Sequence, residues 1–373
     1  MNRIILIGDV LEKIKQIESK SVNIVISSPP YWGLRDYSVE GQWGLEPHFK
    51  EFLQKLHELM RETRRILKDD GTCWINLGDT YASKPIGKFN GTRFSRRDTT
   101  GHKTSGLIDK RNAGVKEKSR VGVPERFYIN CIDDGWLARN HIPWIKENSM
   151  PQSIQDRFTN KWESVFFFAK HPKYYFNLDA VRERPNWFDA KKPRVKDRTG
   201  QTTLTDSKYH KKSNAGRLGV YRDKNRKQDV TLAGNGKPNN TYKGFNERWL
   251  EQQASGKYGK DESNRARVVA FQNSSKGGNP KGKNPGDVFK INPRPFPEAH
   301  FATFPIDLPL KILKVACPPN GTVLDPFFGA GTVGVAAEKL GLNWIGIELK
   351  KEYTKMALKR LLPFKNRKII EFQ

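Results

Sequence analysis

Two stretches of regular strand–helix alternation, one at each end of the chain, constrain the fold more than anything between them. At the start, the apolar run Arg3–Ile7 stops at Gly8-Asp9, residues 10–17 carry helical spacing, and Val22–Ser27 is a second apolar run. Pro47 opens a strongly amphipathic helix whose Phe52, Leu53, Leu56, Leu59, Met60, Ile66 and Leu67 share one face. Asp70-Gly71 is expected to end that helix, and residues 72–77 read as a strand. Near the other end the pattern returns: helix 308–315, strand 322–324, a glycine-rich turn, helix 332–340, strand 344–347 and helix 352–361. A helix over 123–131 and strands over 136–144 and 163–169 stand between. This predicts an α/β fold with one parallel-type sheet assembled from both ends of the chain. The polar middle is then an excursion from that sheet.

The middle is where the charge lies. The 373 residues carry a formal net charge of +27. Residues 84–120 hold 11 Lys/Arg against 3 Asp/Glu, and residues 185–290 hold 24 against 10, so two tracts supply 22 of the 27 excess charges. Both interleave aromatic and amide side chains, among them Tyr242, Phe245, Trp249 and Gln252, which suits contact with a polyanion, nucleic acid first. No apolar run approaches the roughly 18–20 residues of a membrane-spanning helix. The three cysteines, Cys73, Cys131 and Cys317, are too scattered for a disulfide framework or a zinc site. The expected setting is the reducing cytoplasm. His48, His57 and His300 fall in no metal-ligand spacing, and no metal is expected.

The stretch "TVLDPFFGAGTVGVAAEKLGLNWIGIELK" (322–350) carries the clearest ligand signal. A strand ends at Asp325, and Gly329 and Gly331 form a tight turn before a helix that begins near Thr332. Glycines let a backbone approach a ligand closely, and a helix start offers unpaired N–H groups to an anion. The next strand ends at Glu348, 17 residues beyond Gly331, about where nucleoside-binding folds place an acid for ribose hydroxyls. The spacing alone does not choose between a dinucleotide and S-adenosylmethionine, although only two of the three dinucleotide-fingerprint glycines are present.

A second stretch, "NIVISSPPYWGLRDY" (23–37), stops a buried strand with a rigid double proline and then presents Tyr31 and Trp32. It reads either as a turn or as a stiff pocket wall for something flat.

Together, "SSPPYW" and "DPFFGAGT" resemble the amino-methyltransferases of DNA, which methylate an exocyclic base nitrogen with S-adenosylmethionine. Ser28-Pro29-Pro30-Tyr31 matches the catalytic motif, residues 325–332 the cofactor motif (Phe327 included), and Glu348 the ribose acid. The catalytic motif precedes the cofactor motif, as in the permuted β group. "HFATFP" (300–305) resembles the segment beside the methionine end of the cofactor, which carries Phe301 and Thr303. The resemblance covers about residues 1–82, 121–182 and 292–373. It implies a Rossmann-like S-adenosylmethionine-dependent fold with circularly permuted motif order and an inserted basic target recognition region. The expected organisation is 1–83 for the catalytic-motif half, 84–120 a basic loop insertion, 121–184 a continuation of the methyltransferase domain, 185–291 the basic target recognition region, and 292–373 the cofactor-binding half.

The chemistry follows from the residue types. An exocyclic amine conjugated to its ring is a poor nucleophile, and two acceptors aimed at its hydrogens would localise the lone pair. Ser28 Oγ and the Pro29 carbonyl suit that task, with proline's fixed φ holding the carbonyl. Tyr31 would stack on a base that has been flipped out of the duplex. Serine at the first motif position resembles cytosine-N4 enzymes, with adenine-N6 the alternative. Methylation of a cytosine ring carbon needs a cysteine nucleophile, typically after a proline, and no cysteine here fits. A nucleic-acid-binding protein with an inactive methyltransferase core is the reading from another class, and an RNA methyltransferase is disfavoured by motif order. Asp9 could touch the cofactor or cap the first helix, and Asp79 in "NLGDTY" could line the pocket or form a turn. Arg157 and Trp162 match a family segment without an assigned role. Expected partners are double-stranded DNA and a separately encoded restriction endonuclease; monomer and homodimer both stay open.

Overall fold

The computed structural model describes residues 3–83, 110, 114–149, 153–183, 194–196, 202–204, 281–293, 304–364 and 369–372. The chain divides into two compact units, one formed by Met1–Val181 with Asn284–Gln373 and the other by Arg182–Lys283. The second unit shows, among the described residues, an antiparallel pair β6 (Arg194–Lys196) and β7 (Thr202–Leu204) and an antiparallel bridge between Glu183 and Lys283. Most of the two basic tracts, and Phe301 and Thr303, lie outside the described residues.

The first unit is built on a nine-stranded sheet. Its strands are β1 (Arg3–Ile7), β2 (Val22–Ser27), β3 (Leu67–Leu77), β4 (Leu137–Ile145), β5 (Trp162–Ala169), β8 (Phe289–Lys290), β9 (Thr322–Asp325), β10 (Asn343–Glu348) and β11 (Ile370–Phe372). They lie in the order β11-β1-β10-β9-β2-β3-β5-β4-β8. Strand β5 alone runs against its neighbours; every other pairing is parallel. Both ends of the chain therefore contribute, since β9 and β10 insert between β1 and β2. β8 and β11, two and three residues long, are too short to leave a periodic signal.

Helices cover both faces. α1 (Val10–Lys13), α2 (Phe49–Ile66) and α3 (Val123–Asp133) pack on one side, with Val10, Phe52, Leu56, Met60 and Phe127 in the same apolar cluster as Val25 and Ile75. α4 (Asp307–Ala316), α5 (Thr332–Lys339) and α6 (Lys351–Leu361) pack on the other, with Ile312, Val333 and Ala357 against Ile24, Ile26 and Trp74. Alternate residues of β2 thus face opposite layers, and all six are buried, as expected for an interior parallel strand.

One expected boundary is corrected. α2 ends at Ile66 rather than at Asp70-Gly71, because Leu67 (φ −65°, ψ 138°) turns straight into extended backbone. Leu67 pairs with Val22, so β3 takes Asp69, Asp70 and Gly71 as strand residues. The β2 ladder skips from Leu67 to Thr72, and the Asp70 and Gly71 carbonyls accept instead from Tyr175 N (3.1 Å) and Lys170 N (3.3 Å), so the dipeptide is an irregularity within β3 and not a helix stop.

Candidate active site

In an open α/β sheet the residues just past the carboxyl ends of the strands face one common crevice. Here that edge gathers Asp9 after β1, Ser28 after β2, Asn76 near the end of β3, Asp325 at the end of β9 and Glu348 at the end of β10. The two motifs, some 300 residues apart in sequence, meet directly: Ser27 Oγ donates to Asp325 Oδ1 at 2.8 Å.

Two cavities open on this edge. The first, of about 110 Å³, is lined by Asp9, Tyr37, Trp43, Phe327, Gly329 and Glu348, among others. Its carboxylates are held rather than free. Asp9 Oδ1 accepts from Leu11 N at 2.8 Å, and Oδ2 accepts from Trp43 Nε1 at 3.3 Å, so Asp9 both caps α1 and faces the cavity. Glu348 accepts from Gly329 N at 2.7 Å and Lys350 N at 2.8 Å. Burial pushes the Glu348 carboxyl up to about 7, against those backbone hydrogen bonds. Phe327 meets Trp43 edge to face, with ring centroids 5.1 Å apart.

The second cavity, of about 230 Å³, is lined by Ser28, Pro29, Tyr31, Asn76, Trp144 and Glu163, with Lys146 beside them. Ser28 and Pro30 line both cavities, as does Tyr37. A polar network fixes the side chains. Asn76 Nδ2 donates to Ser164 O at 3.1 Å, which turns its Oδ1 towards Ser28 Oγ (3.2 Å) and Tyr31 Oη (2.9 Å). Tyr31 Oη also lies 2.8 Å from Glu163 Oε2, and Lys146 Nζ pairs with Glu163 Oε1. Burial, then the Glu163 charge, hold the Tyr31 phenol well above its ordinary pKa, so it stays protonated. The Tyr31 ring packs on Gly78, where a Cβ would stand only 2.4 Å from Tyr31 Cε2. The Lys146 ammonium also lies 4.3 Å from the Trp144 ring centroid.

The expected site residues separate on this geometry. Asp325 is buried, accepts from Ser27 Oγ and from Phe327 N (3.0 Å), and joins the two motifs without lining the first cavity. Gly331 (φ +74°) is held for packing, since a Cβ there would come within 2.9 Å of the Ala357 Cβ. Thr332 Oγ1 accepts from Arg360 Nη1 at 3.0 Å and also stands back from the cavity. Trp32 is buried beneath the motif, its Nε1 donating to Glu46 O at 2.9 Å. Asp79 caps α3 by accepting from Gly122 N and Val123 N, each at 3.1 Å, and it lines a third cavity of about 470 Å³.

Asn76, Lys146 and Glu163 were not singled out from the sequence. Asn76 left one signal, a lone amide inside the apolar strand "TCWINL". Its link to Glu163 depends on the antiparallel pairing of β3 with β5, which sequence spacing does not show. Among the described residues no cluster of His, Cys, Asp and Glu could hold a metal ion, and no helix is long and apolar enough to cross a membrane.

The mixed sheet with helical layers on both faces is that of an α/β methyltransferase fold, and its strand-end edge carries two acids on one cavity and a Ser-Pro-Pro-Tyr wall between two cavities. The DNA methylase family model for N6 and N4 methyltransferases matches residues 22–359, and the chain belongs to that family. It is similar to the type II methyltransferase M.Cfr9I of Citrobacter freundii, 30% identical over 95% of this chain and 86% of that protein. It is also similar to M.SfiI of Streptomyces fimbriatus, 32% identical over 93% of this chain and 88% of the other. The solved PvuII DNA methyltransferase (cytosine-N4-specific) shares the fold at a TM-score of 0.53 and 16% identity, covering 96% of this chain and 86% of that one. The chain is thus a DNA methyltransferase, and its methyl donor is S-adenosylmethionine. The first cavity fits such a group: two carboxylates suit hydroxyls and a cation, and its aromatic rings suit a flat base.

Proposed function

We propose that the protein transfers a methyl group to the exocyclic N4 of cytosine, flipped out of double-stranded DNA, at a specific site. The observation that carries this reading is the position of Ser28, on the wall shared by the two cavities. In it the first cavity takes S-adenosylmethionine and the second the base. Glu348 would accept the ribose hydroxyls, Asp9 would meet a polar edge of the donor, and Phe327 would flank its adenine. Gly329 keeps the loop close to it. Asp325, Gly331 and Thr332 hold the shape of that loop from behind, and Phe301 and Thr303 are proposed for the methionine end.

S-adenosylmethionine supplies, when bound, a sulfonium methyl group activated for in-line displacement. The protein prepares the nucleophile. Ser28 Oγ commits its hydrogen to Asn76 Oδ1 (3.2 Å), leaving its lone pairs for a hydrogen of the incoming amine. The Pro29 carbonyl, on a backbone with φ fixed by its ring, serves as the second acceptor. With both hydrogens engaged, the lone pair on nitrogen is drawn out of conjugation. As the N–C bond forms, the methyl–sulfur bond breaks to leave a neutral thioether, and the nitrogen gives up one of its two protons to water. Tyr31, held by Asn76 and Glu163, offers a ring to the base, and such stacking contributes about 1–3 kcal/mol per base. The reaction rests on placement and needs no covalent protein intermediate. All three cysteines are buried, and burial raises each thiol pKa, leaving none suited to attack a ring carbon.

Serine at the first motif position supports cytosine over adenine. Site choice belongs to the basic middle of the chain, and a separately encoded restriction endonuclease is the proposed partner. The test incubates the protein with methyl-labelled S-adenosylmethionine and unmethylated DNA and identifies the labelled nucleoside. N4-methylcytosine is expected; N6-methyladenine would overturn the cytosine assignment. Ser28→Ala and Tyr31→Ala should both lose transfer while still binding S-adenosylmethionine, and near-normal turnover in both would refute these roles.

A further inference from the structure

One aromatic side chain is held out into solvent on the segment between residues that line the third and fourth cavities. Phe158 is 97% exposed, whereas the next most exposed large apolar residue among the described ones, Ile129, is 55% exposed. A side chain of this type is ordinarily turned inward, and the segment around it makes several polar contacts. Asp156 pairs with Lys118 (2.7 Å), Arg157 lays its guanidinium 3.9 Å from the Tyr81 ring centroid, and Arg157 Nη1 donates to the Phe158 carbonyl at 3.0 Å. Beyond it, Tyr81 Oη donates to Asn160 Oδ1 at 3.3 Å, and Lys161 O accepts from Lys146 N at 2.8 Å. The segment that carries Phe158 thus has contacts on both sides.

Its surroundings say what it meets. Asn160, Lys161 and Trp162 line the third cavity together with Tyr31, Lys146 and Glu163, which also line the second. Ser153, Asp156 and Arg157 line a fourth cavity with Tyr81, so Phe158 stands on the ridge between the two. Arg157 on the fourth cavity and Lys161 on the third flank that ridge with positive charge suited to phosphates, while Lys118 pairs with Asp156 and Arg120 with Asp79 and Glu125. An exposed ring amid cations matches an apolar wedge that enters a base stack.

We propose that Phe158 inserts into the DNA stack at the position vacated by the target base, with Arg157 and Lys161 on the flanking phosphates. This rests on the reading that the Tyr31 cavity takes a flipped base. Flipping leaves a gap and an unpartnered base opposite, and a planar ring filling that gap slows return of the target. Phe158 is thus a positioning residue that acts on the extrahelical population and never on the reacting nitrogen.

The test compares single-turnover methylation by the wild type, Phe158→Ala and Phe158→Trp on two duplexes carrying the site mapped from methylated DNA. One duplex is fully paired; the other has an abasic position opposite the target, so flipping already costs little. Phe158→Ala should be about tenfold slower on the paired duplex and close to wild type on the abasic one. Phe158→Trp should stay close to wild type on both. An equal loss by Phe158→Ala on both duplexes, or no loss on either, would overturn the proposal. The wild-type product reports separately on the base: N6-methyladenine would sink the cytosine assignment and leave the comparison between duplexes intact.

Discussion

The hydroxyl of Ser27 and the carboxyl of Asp325 lie 2.8 Å apart, one at the end of β2 and the other at the end of β9. Burial raises the Asp325 carboxyl to about 7, against the hydrogen bonds from Ser27 and Phe327 N that favour its charged form. The unfolded chain releases this proton near its ordinary 3.8, so folding takes up a proton between about pH 4 and pH 7. Stability from this group is therefore greatest at the acid side of that window and falls as pH rises through it. Asp325→Asn should flatten that part of the profile while keeping an acceptor for Ser27, as urea titrations at several pH values would read. An unchanged slope would show that the carboxyl titrates normally.

Glu348 serves two backbone amides and faces the first cavity at once. Glu348→Ala should weaken S-adenosylmethionine binding by tenfold or more, since hydrogen bonds to a charged group contribute about 1.5–3 kcal/mol. Glu348→Gln keeps an acceptor for Gly329 N and should lose less. Calorimetric titration of the three proteins decides it, and equal affinities would remove Glu348 from the cofactor site.

Asn76 directs the Ser28 hydrogen away from the second cavity. Asn76→Ala frees that hydrogen to point at the substrate amine, where a donor is of no use. Turnover should fall about tenfold or more with S-adenosylmethionine affinity little changed, the loss of one hydrogen bond at the reacting group being the minimum. A rise in the cofactor Kd with unaltered turnover would place Asn76 in the wrong cavity.

At the start of β1, Arg3 is buried against Glu338 of α5, whose other oxygen accepts from Trp344 Nε1 at 2.7 Å. Removing one partner of such a pair strands the other charge. Arg3→Ala should cost about 3–5 kcal/mol of stability, measured by urea unfolding with wild-type methylation retained below the transition. A cost under 1 kcal/mol would mean that water reaches Glu338.

Burial lifts the Cys317 thiol to about 12 and raises those of Cys73 and Cys131 as well. The native protein should resist alkylation at pH 8 and keep its activity through the treatment, while the urea-unfolded chain should label at all three positions. Rapid native labelling with loss of transfer would restore a role for a thiol.

Much of this site was legible because its groups stand where strands end. A buried apolar run that stops at Gly8-Asp9, Ser27-Ser28, Asp325 or Glu348 announces its own carboxyl edge, and these edges meet in one crevice. What stayed hidden depends on partners chosen by tertiary pairing. The place of Asn76 in the site follows from Ser164 on the neighbouring strand, and Gly331 packs closely on Ala357 of α6. Trp32 had no role fixed by the sequence, which left both the stacking wall and a place beneath it open, and it is buried under the loop, on Phe49 and Glu46. The helix-to-strand join at Leu67 was misjudged because Asp-Gly is a strong local turn signal, yet Leu67 already pairs with Val22 and the dipeptide becomes an irregularity within β3 whose carbonyls serve Lys170 and Tyr175.

The interleaving of β9 and β10 between β1 and β2 also sets a timetable. A ribosome delivers β1 and β2 first and reaches Thr322 only after nearly 300 further residues. At about 5–20 residues per second, the early strands wait on the order of tens of seconds for the neighbours that separate them. Until β9 and β10 emerge the edges of β1 and β2 that they later fill stay unpaired, so the cofactor cavity closes only after the basic middle has already left the ribosome.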